Sequence, residues 1–460
     1  MIKLIKNPFG YYLYDARVNR IVEVSERLYQ AYRCNDKKLM ESLDEYKRMQ
    51  KDGFFNNNEF SICFGNKGIL KSMYERGLHS MVLQVTQNCN FRCTYCPYTS
   101  NSGNLRVHSD KTMPIEVALK AVDFLYEHSI DAKQIVLGFY GGEPLLRFDT
   151  IRTVMEYAKK KFEEKELRFM LTSNATLLSE EILTYFNNNN VTLLVSLDGP
   201  KDVNDAHRVF AGSGGGTFDV IIRKLDEIAK KYPALKERTS INMVVDPSID
   251  YEDYRKIYED PIIKDNFSIA AQLVDSSDLS ETFYATDEFI TNYNYYEFID
   301  ALWENGMVTE EAYRSVFTPR NKWGKRDKYK PFESPRIGST GYPGGPCIPG
   351  YMKLFVDVNG KFFPCEKVSE INEAMHLGDI DSGIDLKKCE VLLNMPRITE
   401  EECKKCWNFH FCSSCHVRAC GKKGLDKEKR LMHCENTKDA TENLLRRYVI
   451  ENRKKVKVYK

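Results

Sequence analysis

No stretch of the 460-residue chain strings together the ~20 apolar residues that a membrane-spanning helix needs, so a helical membrane protein is excluded. Excess charge of one sign is missing too. Lys and Arg number 67 against 66 Asp and Glu, and a net charge of +1 gives no support for a general nucleic-acid partner. The opening stretch Met1-Ile2-Lys3-Leu4-Ile5-Lys6-Asn7-Pro8 has too short an apolar run for a signal peptide. Internal repeats and low-complexity tracts are absent beyond 187–190 and 214–216, which read as loops. What remains is a globular composition, 42% hydrophobic and 29% charged, in a chain long enough for two or three domains. Cysteine is plentiful. Its 14 residues bunch in two regions, which in a large chain without an export signal means metal rather than a disulfide framework. The expected compartment is a reducing cytoplasm.

Cys89, Cys93 and Cys96 crowd into Cys-Asn-Phe-Arg-Cys-Thr-Tyr-Cys, just after the apolar run 81–85. Soft thiolates packed this closely select zinc or an iron–sulfur cluster. Three ligands leave one coordination position free, whereas a structural zinc site closes it with a fourth Cys or a nearby His. The next histidine, His108, lies beyond a loop containing Pro, Ser and Gly. An open corner implies chemistry at the metal.

From 81 to about 275, short apolar runs (81–85, 134–140, 167–171, 192–196, 240–245, 269–274) alternate with amphipathic stretches (115–127, 150–162, 180–186, 218–230). That alternation predicts parallel βα units with helices outside, six of them making a partial barrel. The polar strings Cys89–Cys96, Gly141-Gly142-Glu143-Pro144, Thr172-Ser173-Asn174 and Ser196-Leu197-Asp198-Gly199-Pro200 each follow a strand, on the edge where α/β proteins bind ligands. Residues 1–80 predict a hairpin (11–15 and 20–24) and two helices (25–33 and 36–52). Residues 276–346, rich in aromatics, charge, Pro and Gly, read as a bridging segment, and 347–460 hold the second cysteine region.

The triad, with Tyr95 at its aromatic position, resembles the C-x3-C-x-aromatic-C motif of radical S-adenosylmethionine (SAM) enzymes. The resemblance implies an α/β partial (βα)6 radical SAM barrel over 81–275, with Cys89, Cys93 and Cys96 holding a [4Fe–4S] cluster whose free iron chelates SAM. One electron then cleaves SAM to methionine and a 5′-deoxyadenosyl radical, which takes a hydrogen from the substrate. Gly141, Gly142 and Glu143 resemble the family's GGEP turn, which holds the SAM amino group. Ser173 and Asn174, then Ser196 and Asp198, stand where the family contacts SAM. Asn204-Asp205-Ala206-His207-Arg208 is similar to the family's H-D-x-x-R stretch, with Asn204 replacing the usual His. Arg208 is the candidate for the SAM carboxylate, since a guanidinium fork matches it bidentately. No role falls to His207.

In the second region, C-x12-G-x4-C (Cys347, Gly360, Cys365) and then C-x2-C-x5-C (Cys403, Cys406, Cys412) resemble the SPASM domain of peptide-modifying radical SAM enzymes, which holds two auxiliary [4Fe–4S] clusters. That implies Cys403, Cys406, Cys412 and Cys434 on the outer cluster, and Cys347, Cys365 and Cys415 on the inner one. The family pattern places a ligand at 416, where this chain has His416. Cys415 precedes it, but full-ligation family members carry a further Cys between the positions of Cys347 and Gly360 that this chain does not have, so the inner cluster is one ligand short, to be supplied by Cys420 or left open for a substrate thiolate. By spacing alone, two C-x2-C pairs also suit a zinc ribbon. Cys34, Cys63 and Cys389 fit no motif and read as packing residues. Glu366 stands where some SPASM enzymes carry a catalytic base; the bland alternative is a solvated side chain.

Residues 1–80 are similar to the winged-helix leader-recognition element of peptide-modifying enzymes, in which an exposed strand edge pairs with the incoming peptide; a structural cap is the alternative. Taken together the chain resembles the thioether-forming maturases of Cys-rich ribosomal peptides (sactipeptides and ranthipeptides). The resemblance implies three [4Fe–4S] clusters, SAM, a Cys-rich precursor peptide with a leader, and an electron donor such as flavodoxin or ferredoxin. Formylglycine formation on sulfatases, carbon–carbon crosslinking and epimerisation stay open, as does a zinc-binding scaffold without activity.

Overall fold

The computed structural model describes residues 1–65, 67–99, 103, 105–275, 279, 282–304, 306–309, 332 and 334–459. Part of the bridging segment, 310–331, therefore lies outside the described residues. The chain forms two compact units, one of Met1–Lys71, Lys325–Pro349 and Leu386–Lys460, the other of Ser72–Gly324 and Gly350–Asp385. These units cut across the boundaries expected from sequence. Residues 350–385, expected with the second cysteine region, pack with 72–324 instead.

In that second unit, six strands stand side by side in chain order: β1 Ser80–Thr86, β2 Gln134–Gly141, β3 Glu166–Ser173, β4 Val191–Ser196, β5 Thr239–Val245 and β6 Ser268–Leu273. Every neighbouring pair is parallel. Parallel strands joined by helices bury both faces, which is why these runs read as near-continuous hydrophobic segments. Met81, Leu83 and Val85 on β1, and Ile241, Met243 and Val245 on β5, alternate into the core with no exposed surface. Between strands run α1 Ile115–Glu127, α2 Phe148–Lys161, α3 Glu180–Asn188 and α4 Phe218–Lys231. On α1, Ala118, Ala121, Val122 and Leu125 fall on one helical stripe and are fully buried. Beyond β1 the sheet continues through β7 Leu354–Val356, parallel to β1, and then antiparallel through β8 Lys361–Phe363, β9 Gly378–Asp379 and β10 Gly383–Ile384.

The first unit opens with a three-stranded antiparallel meander, Ile2–Asn7, Gly10–Asp15 and Arg20–Val24; the expected hairpin is its second half. A short strand, Lys457–Val458, joins the outer edge of Arg20–Val24 in parallel. Helix Glu26–Arg33 is capped by the Ser25 hydroxyl, which accepts from the Leu28 N–H and donates to Glu45. The helix expected over 36–52 is two, Lys37–Ser42 and Asp44–Lys51, because Leu43 is extended (φ −84°, ψ 127°). Among the described residues, no helix is long and apolar enough to cross a membrane.

Candidate active site

Strand β1 ends at Thr86, and its continuation carries Cys89, Cys93 and Cys96 at the carboxyl edge of the sheet. Two sets of contacts fix this loop. On one side the Gly142 N–H donates to the Thr86 carbonyl (3.0 Å) and the Glu143 N–H to the Asn88 carbonyl (2.9 Å). A Cβ on Gly141, whose φ is +146°, would lie 1.9 Å from the Thr86 oxygen; one on Gly142 would lie 2.1 Å from the Asn88 oxygen and 3.0 Å from the Cys89 Cβ. The glycine pair is thus required by the close approach of the cysteine loop itself. On the other side, the Arg92 N–H donates to the Val209 carbonyl (3.0 Å), the Thr94 N–H to His207 (3.1 Å) and the Ala211 N–H to Asn90 (2.8 Å).

Burial pushes the Cys89 thiol up to about 12 and Cys93 to about 11, the latter against the pull of Arg208. Both are neutral thiols at neutral pH, so metal uptake releases their protons. Three soft donors on one short, backbone-pinned loop suit an iron–sulfur cluster. His108 comes nearer than its place in the sequence suggested: its Nε2 lies 3.9 Å from the Cys96 Sγ and 3.3 Å from the Thr99 Oγ1. Among the described residues no three His, Cys, Asp or Glu side chains are close enough to hold a single metal ion.

The other strand ends are held by buried carboxylates. Glu143 accepts from the Leu145 N–H (3.0 Å), the Ser173 hydroxyl (2.8 Å) and the Asn174 N–H (2.8 Å), which ties β2 to β3. Burial raises it to about 7 despite those donors. Asn174 donates in turn to Asn90 in the cysteine loop (2.8 Å). Asp198 has no exposed surface and receives a two-pronged contact from Arg208 (2.8 and 3.0 Å) and the Val244 N–H (2.9 Å). The Tyr95 hydroxyl also donates to it. Arg208 and Glu143, expected to face SAM, are therefore occupied with bonds inside the protein. Ser196 closes β4 and is nearly buried.

Glu366 is not a solvated side chain. Its Oε1 accepts from Lys353 (2.9 Å), and its Oε2 is buried without a hydrogen-bond partner. Glu366, Cys96 and Cys365 all act on the Tyr140 phenol, whose pKa is raised chiefly by burial and then by their charges; the candidate base is thus near the cysteine loop. Two features were missed in the sequence. His207 bridges the loop to β5, with Nδ1 2.7 Å from the Thr94 hydroxyl and Nε2 3.3 Å from Asp246. Its place beside Arg208 was the available signal. The Arg106 guanidinium stacks 3.7 Å from the Tyr98 ring centroid and pairs with Glu370 at 2.8 Å, both side chains buried. Separated by 264 positions, that pair left no local signal.

In the first unit, Cys403 and Cys412 lie within electrostatic range of each other and of both Cys406 and Cys434. Burial raises the Cys406 thiol to about 11. The Cys406 N–H closes a turn on the Cys403 carbonyl (3.1 Å), and Cys434 begins helix Cys434–Glu451. Cys347 likewise lies within range of Cys415. His416, at the expected ligand position, is buried. Its Nε2 sits 2.9 Å from the Cys347 carbonyl, and its Nδ1 has no hydrogen-bond partner among the described residues. Burial holds this imidazole down to about 4, hence neutral.

Residues 83–260 match the family described as the radical SAM superfamily. A cysteine-type anaerobic sulfatase-maturating enzyme of Clostridium novyi (strain NT) is 27% identical over 160 residues, 34% of this chain and 41% of that protein. The radical SAM cyclopropyl synthase TigE of Paramaledivibacter caminithermalis is 27% identical over 157 residues, 32% of each. The chain thus spans less than half the length of these curated relatives. A solved structure described as native anSMEcpe with bound AdoMet superposes with a TM-score of 0.55 at 19% identity, over 80% of this chain and 99% of that one, a likeness of fold. The chain carries a radical SAM domain.

Proposed function

We propose that this chain is a radical SAM maturase that installs sulfur-to-carbon thioether crosslinks in a Cys-rich, ribosomally made precursor peptide. What supports the peptide reading most is the gathering of Cys403, Cys406, Cys412 and Cys434 outside the radical SAM domain. Four thiols there give a second cluster a full set of ligands, while the barrel loop offers three. Cys89, Cys93 and Cys96 would hold the SAM-binding [4Fe–4S] cluster, the four thiols an outer auxiliary cluster, and Cys347 and Cys415 would belong to an inner one. With these groups and SAM bound, the cofactors would supply the reducing electron and the 5′-deoxyadenosyl radical that takes one substrate hydrogen, and the auxiliary clusters would accept the electron the substrate gives up as the sulfur–carbon bond closes.

The protein's own part is to position and to move protons. The Gly141-Gly142 turn and the 207–211 segment hold the cysteine loop in place. Tyr95, Ser173, Asn174 and Ser196 line the strand ends where SAM would lie, over the floor formed by Glu143 and the Asp198–Arg208 pair. Glu366 takes a proton from the substrate at Oε2 while Lys353 holds Oε1. Residues 1–80 hold the leader as a winged-helix-like recognition element, which raises the effective concentration of the core peptide. A flavodoxin or ferredoxin delivers the electron. Mass spectrometry tests the reading: a Cys-rich precursor incubated anaerobically with reconstituted protein, SAM and reductant loses two hydrogens per crosslink. Unchanged mass across the precursors tried would contradict it.

The sulfatase-maturating relatives favour a second reading, formylglycine formation. The two part on residues 1–80: thioether formation needs them, whereas sulfatase-peptide oxidation survives their deletion. A zinc scaffold is separated by metal analysis. Brown anaerobic protein with on the order of twelve irons supports three clusters; colourless zinc protein supports the scaffold.

A further inference from the structure

The outer edge of strand Arg20–Val24 is already paired with a strand of this same chain. Lys457 and Val458 lie opposite Val22 and Glu23 in parallel, and the Tyr459 N–H donates to the Glu23 carbonyl (3.0 Å). Side chains anchor the segment on both faces of the sheet. Val456 is buried against Ile21, Leu445 and Val449, while Tyr459 is buried in the opposite cluster with Val22 and Phe54. The Tyr459 ring meets Phe54 edge-on at 5.7 Å, its hydroxyl donates to Asp52, and its carbonyl accepts from Arg48 (2.7 Å). The Lys457 ammonium donates to the same Asp52 carboxylate (2.8 Å).

The ladder is short, however, and parallel pairing is the weaker kind per residue. Among the described residues it covers Val22 and Glu23 and leaves Arg20 and Ile21 without a strand partner on that side. There a cavity of about 460 Å³ opens, lined by Arg20, Ile21, Val22, Phe332, Arg336 and Tyr448 among others. A strand edge whose ladder stops short beside a cavity is the geometry for adding an extended peptide. We propose that the Arg20–Val24 edge is an exchangeable peptide-docking site that residues 456–459 hold closed by imitating the incoming segment. The occupant it accepts is an extended peptide with a β-branched residue, then a cationic residue, and an aromatic residue two positions after the cation. The cation and the aromatic hydroxyl meet Asp52, and the ring enters beside Phe54. The inference rests on the reading of residues 1–80 as a recognition element.

The probe is a fluorescein-labelled synthetic peptide of residues 452–459, titrated by anisotropy into three proteins. These are the full chain, a chain ending at Lys455, and the full chain with Lys457→Ala and Tyr459→Ala, each checked for folding by circular dichroism and thermal melting. Either altered protein binds the probe at least tenfold more tightly than the full chain, and adding Asp52→Asn to it weakens binding again. Equal binding by all three, or no binding by a folded altered chain, overturns the proposal and makes 456–459 a fixed structural strand. With a Cys-rich precursor as the probe, the altered chains again bind at least tenfold more tightly. Equal precursor affinity overturns the proposal while leaving the recognition reading in place. A precursor that binds none of the three sinks the recognition reading instead, and the tail-peptide titration then decides the exchange independently.

Discussion

Two thiol sets, Cys89–Cys93–Cys96 and Cys403–Cys406–Cys412–Cys434, use the same side chain under opposite kinds of support. The first sits on one eight-residue loop and owes its shape to backbone bonds with the turn after β2, at Gly142 and Glu143, and with the segment 207–211 that leaves the short helix Lys201–His207. The second draws its members from a turn, a following loop and the start of a helix. On the proposed reading, the three-donor loop would leave its fourth position to be filled from outside the chain. The four donors of the second set would complete their site from the chain alone. The contrast teaches that openness is built by what surrounds the cysteines as much as by their number.

The comparison breaks most sharply by removing one member of each set. Cys93→Ala should reduce SAM cleavage to background and cost about four irons, whereas Cys406→Ala should lose a similar amount of iron and keep SAM cleavage. Iron assay and chromatographic detection of 5′-deoxyadenosine read both. Next in size is Arg208→Ala, which leaves the Asp198 carboxylate buried without its cation. Denaturant unfolding should show a loss of about 3–5 kcal/mol, with no matching effect at the second set. Gly142→Ala places a methyl against the Asn88 carbonyl; the expected cost is about 1–3 kcal/mol, with selective loss of the barrel cluster's absorbance.

The smallest effect is a pH slope. Glu143 sits at about 7 in the folded chain, above the ordinary 4.5. The folded state therefore binds the extra proton, so the contribution is fully present below about pH 4.5 and is lost as pH rises through about 7. The slope is at most about 1.4 kcal/mol per pH unit. Glu143→Gln should flatten stability across that window; an unchanged slope would assign it to other groups.

Much of the barrel was legible because its information is local. Apolar runs such as 240–245 carry the strand signal in themselves, and each motif sits directly after its strand, so order along the chain gave order in the sheet. Long-range partners were not legible. Nothing near Arg106 points to Glu370, and a two-residue strand at Lys457–Val458 has no periodicity to betray its pairing with Arg20–Val24. The same limit hid why Gly141 and Gly142 are glycines: the sequence suggested a ligand, whereas the approaching backbone is the chain's own. The break at Leu43 was lost for a local reason, since residues on both sides suit helices and a single extended residue leaves no mark on the pattern.

On the proposed reading, the cluster on Cys89, Cys93 and Cys96 leaves one iron for SAM. Electron–nuclear double resonance on the reduced, reconstituted protein, with SAM labelled by ¹⁵N at its amino group and ¹⁷O at its carboxylate, tests it directly. Hyperfine couplings from both labels, lost in Cys93→Ala and kept in Cys406→Ala, are predicted. A reduced cluster in SAM-saturated protein that shows coupling to neither label would contradict the account.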